Sequence, residues 1–428
     1  MGLLLTNTVC WSGFERCGLG AYRFSALSWM FRHTKIVWEW LWQASVSLVL
    51  EQYGLREGVL TVDDSDQRRA KRTKRIHRAH TLYDKKTGGY FNGQALVFLV
   101  LVTPTITVPV GFRFACPDPK QIAWRTEDTR LKRQKIPKAQ RPARPASDPA
   151  YPSKLQLALE LIQTFRHAHP QVRIKAVLAD ALYGTQAWMD QASTACHGAQ
   201  TVSQLRSNQK VRFRGRERTL KAFFAAYPGV AQRVSVRGGP EITVSVSRAR
   251  VHVCAHGQKR FVIALRYPGE TESRYLVATD LSWRTLDIVQ VDTLRWLVEV
   301  FLEDWKLYEG WGQLAKQPDE EGSSRSLTLS LLLDHALLLH PEQRTRLNHQ
   351  APACTVGSLR HHCQSEALMD MFRRLLAAED PAAQFAQLTE TIKTLFPLAP
   401  STKHMSGRDL GRQEPTPALR YRAADAYA

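Results

Sequence analysis

The sequence has few features of a membrane protein or a secreted one. Its longest apolar run, residues 95–112, contains Pro104, Pro109 and several threonines, which predicts two buried strands joined by a turn and no membrane span. No charged segment precedes the first apolar residues at the N-terminus, so we predict no signal peptide. We therefore expect a cytoplasmic protein without a membrane partner.

The sequence also lacks the cysteine pairs of a disulfide-bonded or zinc-ribbon domain. Its seven cysteines are scattered and form no Cys-x2-Cys spacing, which is typical of a reducing cytosol. Residues 252–256 and 361–363 combine histidine with cysteine, but no second ligand pair follows either segment at a usual interval. We predict no zinc site at either place.

Acidic residues are scarce relative to basic ones. The 428 residues include 39 Asp and Glu against 59 Lys and Arg, for a formal net charge of +20, while the hydrophobic content of 44% is ordinary for a globular protein. Such an excess predicts a polyanionic partner. Nucleic acid is favoured over a membrane surface, because no basic amphipathic helix is flanked by a lipid anchor.

Two predicted strands are each followed directly by a residue with a carboxylate side chain. Residues 59–62 lead directly into Asp63, Asp64 and Asp66, and the aliphatic run 174–179 ends at Asp180. Like charges resist close packing unless a cation joins them. The first acidic run is therefore either a solvated turn or one half of a metal site, for which Asp180 would supply the companion.

A third carboxylate lies on a predicted long helix that begins near residues 282–287 and stops at residues 309–310. On a period of 3.6 residues, Arg295, Glu299 and Lys306 share one stripe of this helix. One interpretation is an intrahelical ion pair, worth roughly a few tenths of a kcal/mol. The other is a functional carboxylate held between two cations.

The spacing Arg-x3-Glu-x6-Lys, with Trp296 after the arginine, resembles the signature of insertion-sequence transposases of the DDE class. The similar group is the one defined by Tyr-x2-Arg-x3-Glu-x6-Lys, the insertion-sequence family four type. Asp292 stands where that signature has the tyrosine, which in the family helps to hold the DNA end.

The two strand-end motifs are similar to those of the same family. Asp63-Asp64-Ser65 follows the first aliphatic strand, and Tyr183-Gly184 follows Asp180, so that three acidic motifs occur in the expected order. The resemblance implies an α/β fold: a ribonuclease-H-like mixed sheet flanked by helices, with a β-rich insertion before the last catalytic helix.

The resemblance further implies the chemistry. Asp63, Asp180 and Glu299 would be catalytic and would hold two Mg²⁺ ions, with Mn²⁺ as an alternative metal and Asp64 as an alternative first ligand. The expected activity is cleavage at transposon ends and strand transfer into target DNA. The expected enzyme is prokaryotic, associated with the nucleoid, and acts as a homodimer on double-stranded DNA.

Basic segments supply candidate DNA contacts. The run after the first acidic motif, including Arg72, Lys74 and Arg75, is either a solvated face or a segment that tracks phosphates. Residues 210–218 alternate cations with apolar residues, which predicts a strand with its cations on one face. The candidates in that strand and in the helix are Arg212, Arg214, Arg295 and Lys306.

An aromatic residue before the helix has two interpretations. Trp283 is either a core residue or, by the resemblance, the residue that receives a base flipped out of the transposon end. A Pro-, Arg- and Lys-rich stretch, residues 117–152, predicts an extended surface arm.

These segments predict five parts of the chain. They are an N-terminal helical region that is a candidate for DNA binding (1–55), the first part of the catalytic core (56–204), the β-rich insertion (205–280), the second part of the core (281–345), and C-terminal helices with a basic tail (346–428). Two other functions stay open: an inactive remnant that only binds DNA, and a metal-dependent nuclease on the same fold.

Overall fold

The structure is a computed structural model that describes residues 2–5, 9–71, 73, 75–236, 239 and 241–398. Two candidate DNA contacts, Arg72 and Lys74, and the basic tail from residue 399 onward lie outside these residues. No helix in the described ranges is long and apolar enough to cross a membrane.

Helices form both ends of the described chain and flank its sheet. They are α1 (Gly2–Leu5), α2 (Trp11–Cys17), α3 (Phe24–His33), α4 (Trp38–Gln52), α5 (Pro119–Arg133), α6 (Lys154–Ala168), α7 (Gln186–Ala195), α8 (Leu220–Ala225), α9 (Thr285–Asp292), α10 (Trp296–Tyr308), α11 (Glu320–Leu338), α12 (Pro341–Asn348), α13 (Val356–Leu376) and α14 (Pro381–Leu395).

The described strands all join one mixed sheet. They are β1 (Glu57–Arg68), β2 (His80–Asp84), β3 (Gly89–Val102), β4 (Thr107–Ala115), β5 (Arg173–Ala179), β6 (Gln200–Leu205), β7 (Lys210–Phe213), β8 (Arg216–Thr219), β9 (Val230–Ser235), β10 (Glu241–Val253), β11 (Gln258–Arg266) and β12 (Arg274–Ala278).

The strand order separates an antiparallel part of the sheet from a parallel centre. From β4 the order runs through β3, β1, β5 and β6, where β1, β3 and β4 are antiparallel and β1, β5 and β6 are parallel. Beyond β6 the sheet continues through β12, β11 and β10. The block at residues 205–280 therefore extends the same sheet, because β12 pairs with β6.

The core lies where β1 and β3 are covered on both faces. All residues from Ala95 to Val102 are buried, as a strand with no solvent-facing side requires. Helix α6 packs on β3 and β4, and α10 packs on β1. The ring of Phe98 lies 4.8 Å from that of Trp305 on α10, so the helix that carries Glu299 is fixed against the sheet by aromatic packing.

Three elements differ from the predictions. Strand β1 continues to Arg68, so residues 63–66 lie within a strand and not in a solvated turn. The predicted long helix is α9 and α10 joined by a 3₁₀ turn, Thr293–Arg295, where the Thr293 hydroxyl donates to the Gln290 carbonyl at 2.6 Å and competes with the helical pattern.

The predicted surface arm contains α5. The Asp118 side chain accepts a hydrogen bond from the Lys120 backbone N–H at 2.8 Å, and Pro119 occupies the first turn. Both features favour a helix start. The Pro-rich composition of the whole segment therefore concealed a capped helix at its beginning.

A pair of buried carboxyl groups joins the end of α10 to α11. Glu309 follows α10 and Asp334 lies within α11, and both are buried. Burial raises the pKa of both groups, that of Asp334 to about 7, and each lies close enough to hydrogen-bond the other. Ionising both of two adjacent buried carboxyls costs electrostatic free energy, so the pair retains a proton near neutral pH.

We expect this pair to make the protein less stable as the pH rises. Because the folded pKa of Asp334 lies above the ordinary value of 3.8, its contribution is complete below about pH 4 and is lost as the pH rises through about 7. Urea unfolding should show a free energy of unfolding that is lower at about pH 8 than at about pH 5, by on the order of 1–3 kcal/mol.

Asp334→Asn should reduce this decline, because the amide remains neutral over the whole range. Asp370→Asn is the matched control, since the Asp370 side chain is 49% exposed. An unchanged decline in Asp334→Asn would contradict the assignment.

Candidate active site

Strands β1 and β5 bring two acidic residues side by side. They pair in parallel register up to Val62 and Ala179, and the next residues are Asp63 and Asp180. Neighbouring strands lie about 4.8 Å apart, so the two aspartates lie side by side at the point where β5 ends and β1 continues. The charge of Asp180 contributes to raising the pKa of Asp63, which is consistent with this proximity.

Arg295 joins this pair to the helix side of the site. Its Nη1 lies 3.8 Å from Asp63 Oδ2 and 3.2 Å from Glu299 Oε1. The separation of these two oxygens is therefore no greater than the sum of the two distances. The intrahelical Arg295–Glu299 pair exists, but the same guanidinium also reaches across to β1, which an isolated helix pair would not do.

Asp292 lies behind Arg295 and not on the surface. Burial raises the pKa of Asp292 to about 6, and the charges of Arg295 and Arg274 oppose the rise. A buried side chain is poorly placed to hold a DNA end. At this position the chain departs from the signature in residue type, and the residue present is buried.

Burial dominates the electrostatics of the two aspartates. It raises the pKa of Asp63 to about 7, with further increases from the charges of Asp64 and Asp180 and a decrease from Arg295. Burial also raises the pKa of Asp180, as does the charge of Asp64, while the hydrogen bond from the Leu182 backbone N–H and the charges of Arg295 and Lys85 lower it. The two carboxylates are thus incompletely solvated, and nearby positive charge stabilises their charged forms.

The other face of β1 carries two more aspartates. Asp64 forms an ion pair with Lys154, the first residue of α6. Asp66 is partly buried, its pKa is raised by burial, and its Oδ1 has no hydrogen-bond partner among the described residues. Sequence reasoning did not select Asp66 or Lys154 as site residues, although the alternation of a strand puts Asp66 on the Asp64 face.

The turn after Asp180 is packed tightly against β6. The Asp180 side chain accepts from the Leu182 backbone N–H at 2.8 Å, and the Ser203 hydroxyl donates to the Asp180 carbonyl at 2.6 Å. A Cβ on Gly184 would lie 2.4 Å from the Gln204 carbonyl oxygen. Only glycine fits there, so the Tyr-Gly motif holds the turn that orients Asp180.

Tyr183 lies beneath the same acidic residues. It is fully buried and its ring packs on Trp188 at 4.9 Å. Burial raises the pKa of Tyr183, and the charges of Asp64, Asp180 and Asp63 raise it further. Its hydroxyl has no hydrogen-bond partner in the described part of the chain, which leaves an orphaned polar group beside the carboxylates.

The donor set suits a hard divalent cation. Asp63, Asp180 and Glu299 offer oxygen ligands alone, as Mg²⁺ and Mn²⁺ prefer. Their oxygens are not all within 4.8 Å of one another in the described structure, so they do not surround a single ion. Two ions about 4 Å apart, each about 2 Å from its ligands, would span oxygens separated by up to about 8 Å.

The other predicted cations are distributed differently. Lys306, two residues before the end of α10 at Tyr308, lies close to the acidic site: partial burial lowers its pKa, and the charges of Asp66 and Asp63 raise it. Arg75 is exposed. The turn between β2 and β3 contributes Lys85 near Asp180 and Lys86 near Lys306, and sequence reasoning missed both lysines as site residues.

The predicted cationic strand is a hairpin. Arg214 has a φ of 49° in the turn between β7 and β8, where Gly215 also has a positive φ. Arg212 pairs with Glu217, and Phe213 pairs with Arg216, so the arginines of the two strands point to opposite faces. Because Arg214 lies in the turn and Arg212 lies in β7, the two arginines do not share one strand face, although both are exposed.

Trp283 does not belong to the acidic site. It packs, partly buried, against a hydrophobic cluster that includes Leu178, Val202 and Ile288. It also lines a cavity with residues 172–175 and 197–200, where β5 and β6 begin. Asp180 follows the other end of β5, on the order of 15 Å along the strand. The position agrees with a core residue, and the structure does not bring Trp283 to the carboxylates.

Part of the basic run is structural. Arg69 is buried and donates to Gln94 Oε1 and to the carbonyl oxygens of Gly312 and Leu314, at 2.7, 3.0 and 2.9 Å. Its neighbour Arg68 is exposed and pairs with Asp84 at 3.2 Å. Arg69 therefore ties β1 to the segment after α10 and cannot follow phosphates.

These two neighbouring arginines give a matched test. Arg69→Ala should lower the free energy of unfolding by about 2–4 kcal/mol, because it leaves buried carbonyl groups without donors. Arg68→Ala should change it by less than about 0.5 kcal/mol. Urea unfolding of both variants measures the difference, and equal losses would contradict the structural role of Arg69.

Metal binding at the carboxylates should depend on pH. Because the pKa of Asp63 is raised to about 7, a divalent ion must displace a proton from it below that pH. Calorimetric titration with Mn²⁺ should give a nearly constant affinity above about pH 8 and a decrease of roughly tenfold per pH unit below about pH 7. The same affinity at about pH 6 and about pH 8 would be inconsistent with this site.

A comparison with protein families agrees with the geometry. Residues 24–222 match the model of a family described as DDE superfamily endonuclease. The match includes β1 and β5, with Asp63 and Asp180, and ends before Glu299. A search of curated proteins found no match. The match suggests transposase or nuclease activity, and endonuclease domains of the DDE type generally use divalent metals.

Proposed function

We propose that this protein is a DNA transposase of the DDE class that cuts transposon ends and joins them to target DNA. One observation carries the proposal: Arg295 contacts both Asp63 and Glu299, while the register of β1 and β5 sets Asp180 beside Asp63. These contacts support a shared site for three acidic residues that are far apart in the sequence.

The sheet order supports a ribonuclease-H-like core. In such a core, the first strand and the first parallel strand after it carry two aspartates side by side, as β1 and β5 do with Asp63 and Asp180. Helix α10 packs on β1 and carries Glu299, which Arg295 links to Asp63. The insertion-sequence family four type and a homodimer on DNA are further parts of the proposal, and they rest on the sequence resemblance.

The three carboxylates would hold two Mg²⁺ ions, or Mn²⁺ in their place. Bound there, the metal would supply activation of a water or a DNA 3′ hydroxyl and stabilisation of the leaving 3′ oxygen in an in-line phosphoryl transfer. Asp63 has to lose its proton to take part. Asp64 faces the other side of β1 and pairs with Lys154, which favours Asp63 over Asp64 as the first ligand.

The cations around the site have separate tasks in this proposal. Arg295 keeps Asp63 and Glu299 together in the absence of metal and offers further N–H groups to a phosphate. Lys306 and Lys85 extend positive charge along the edge of the site, where a DNA backbone would lie. The net charge of +20 attracts that backbone at longer range.

Replacing Glu299 tests the catalytic role. Glu299→Gln keeps the size of the side chain and removes the charge, so Mg²⁺-dependent cleavage of DNA should fall on the order of 10³-fold, while non-specific DNA binding persists. Glu303→Gln is the matched control, since Glu303 lies one turn further along α10 and is exposed. Cleavage by Glu299→Gln at the wild-type rate would exclude this assignment.

A second candidate is a nuclease without strand transfer, which the description of the matching family as endonucleases favours. A DNA end with a free 3′ hydroxyl, incubated with target DNA and Mg²⁺, separates the candidates. A joined product supports transposition, and cleavage alone supports the nuclease. Binding without either reaction identifies an inactive DNA-binding remnant.

A further inference from the structure

A second set of metal-ligating side chains lies among the C-terminal helices. His340 precedes α12, and Cys363 and Glu366 lie on α13. One ligand atom from each of these three residues lies within 4.8 Å of the other two. This is the one group of three such residues, within the described ranges, that meets this limit.

A fourth side chain adjoins the group. His362 Nε2 lies 3.5 Å from Glu366 Oε1, and His340 Nε2 lies 3.2 Å from Glu366 Oε2. On α13, His362 precedes Glu366 by four residues and Cys363 precedes it by three, so both lie beside Glu366 on one side of the helix. The loop from α11 supplies His340 from outside that helix.

The chemistry of the four groups differs from that of the acidic site. Two imidazole nitrogens, one thiol and one carboxylate form a mixed N, S and O donor set, which a borderline-soft ion such as Zn²⁺ accepts in a tetrahedral site. Mg²⁺ has little affinity for such ligands. We propose that His340, His362, Cys363 and Glu366 form a structural zinc site that ties the start of α12 to α13.

The surroundings permit both binding and entry. Cys363 is buried next to Leu333, Leu337 and Leu359, so the ion would be anchored on its inner side. The His362 and Glu366 side chains are 49% and 54% exposed, which leaves an outer side open to solvent. Burial and the charge of Glu366 raise the pKa of the Cys363 thiol, and a divalent ion would reverse the effect of that charge.

Binding through His340 Nε2 has an identifiable cost. The Nδ1 of His340 faces the Glu342 backbone N–H at 3.3 Å, and a ring with metal on Nε2 carries its proton on Nδ1. The helix-capping hydrogen bond to α12 would be lost. That bond is long and lies within the start of α12, whereas the ion would connect this start to α13.

The spacing in the sequence conceals this group. Residues 361–363 have no second ligand pair at a usual interval, which is why the sequence predicts no zinc site there. The remaining ligands come from the loop before α12 and from the next turn of α13. The packing of α11 against α13 brings His340, just after α11, to them.

Cobalt substitution tests the proposal, because Co²⁺ bound to a thiolate gives a charge-transfer absorption that carboxylate sites do not. We expect the full-length protein, stripped with chelator, to develop this band with one equivalent of Co²⁺ and to lose it when Zn²⁺ is added. Cys363→Ser should abolish the band. Cys354→Ser is the matched control, since Cys354 packs against the same apolar cluster but is not one of the ligands, and it should keep the band.

A second variant avoids dependence on the folding of Cys363→Ser. His362→Gln changes a half-exposed ring and should weaken Co²⁺ binding at least about tenfold with an unchanged circular dichroism spectrum. Asp63→Asn should leave the band unchanged, which separates this site from the acidic one. Absence of the band in the wild-type protein, or its persistence in Cys363→Ser, would overturn the proposal.

Discussion

The arrangement of the candidate active site depends on one guanidinium group. Arg295 lies between a strand carboxylate and a helix carboxylate, and it is itself backed by buried Asp292. Without a cation at this point, burial of Asp63 beside Asp180 would carry a large electrostatic cost. The arginine therefore allows acidic residues from two strands and one helix to be held together before any metal arrives.

The rest of the fold fixes the two sides of that contact. Parallel pairing of β1 with β5 sets the strand side. The helix side is set by Trp305, which meets Phe98 edge-to-face at 4.8 Å and stacks on Trp311 at 5.0 Å between ring centroids. Arg69 then ties the end of β1 to the segment after α10. Packing and buried hydrogen bonds together leave the carboxylates little freedom to separate.

Much of the architecture follows from local sequence patterns, and the remainder depends on contacts between distant residues. The aliphatic run before Asp180 and the apolar runs of β3 and β4 predict their strands, because burial on both faces requires such residues. The continuation of β1 through residues 63–66 was not predictable in this way, since only the neighbouring cations make four polar residues acceptable there.

The same limit applies to individual side chains. The sequence assigns equal charge to Arg68 and Arg69, whereas the fold exposes one and buries the other. Trp283 satisfies a motif position but lies where β5 and β6 begin, and Arg214 occupies a turn that an alternating pattern conceals. Strand register and chain reversal decide these positions, and neither is encoded within a short window.

The pairing of β12 with β6 has a mechanical consequence. The block at residues 205–280 is connected to the strand next to β5 by backbone hydrogen bonds, and Gln200 also bonds to the backbone at Asp280. A load applied to the outer strands would therefore pass through a continuous hydrogen-bonded ladder to the turn that carries Asp180. Movement of the block would therefore be transmitted to the carboxylates. A domain joined only by a flexible linker would not transmit it.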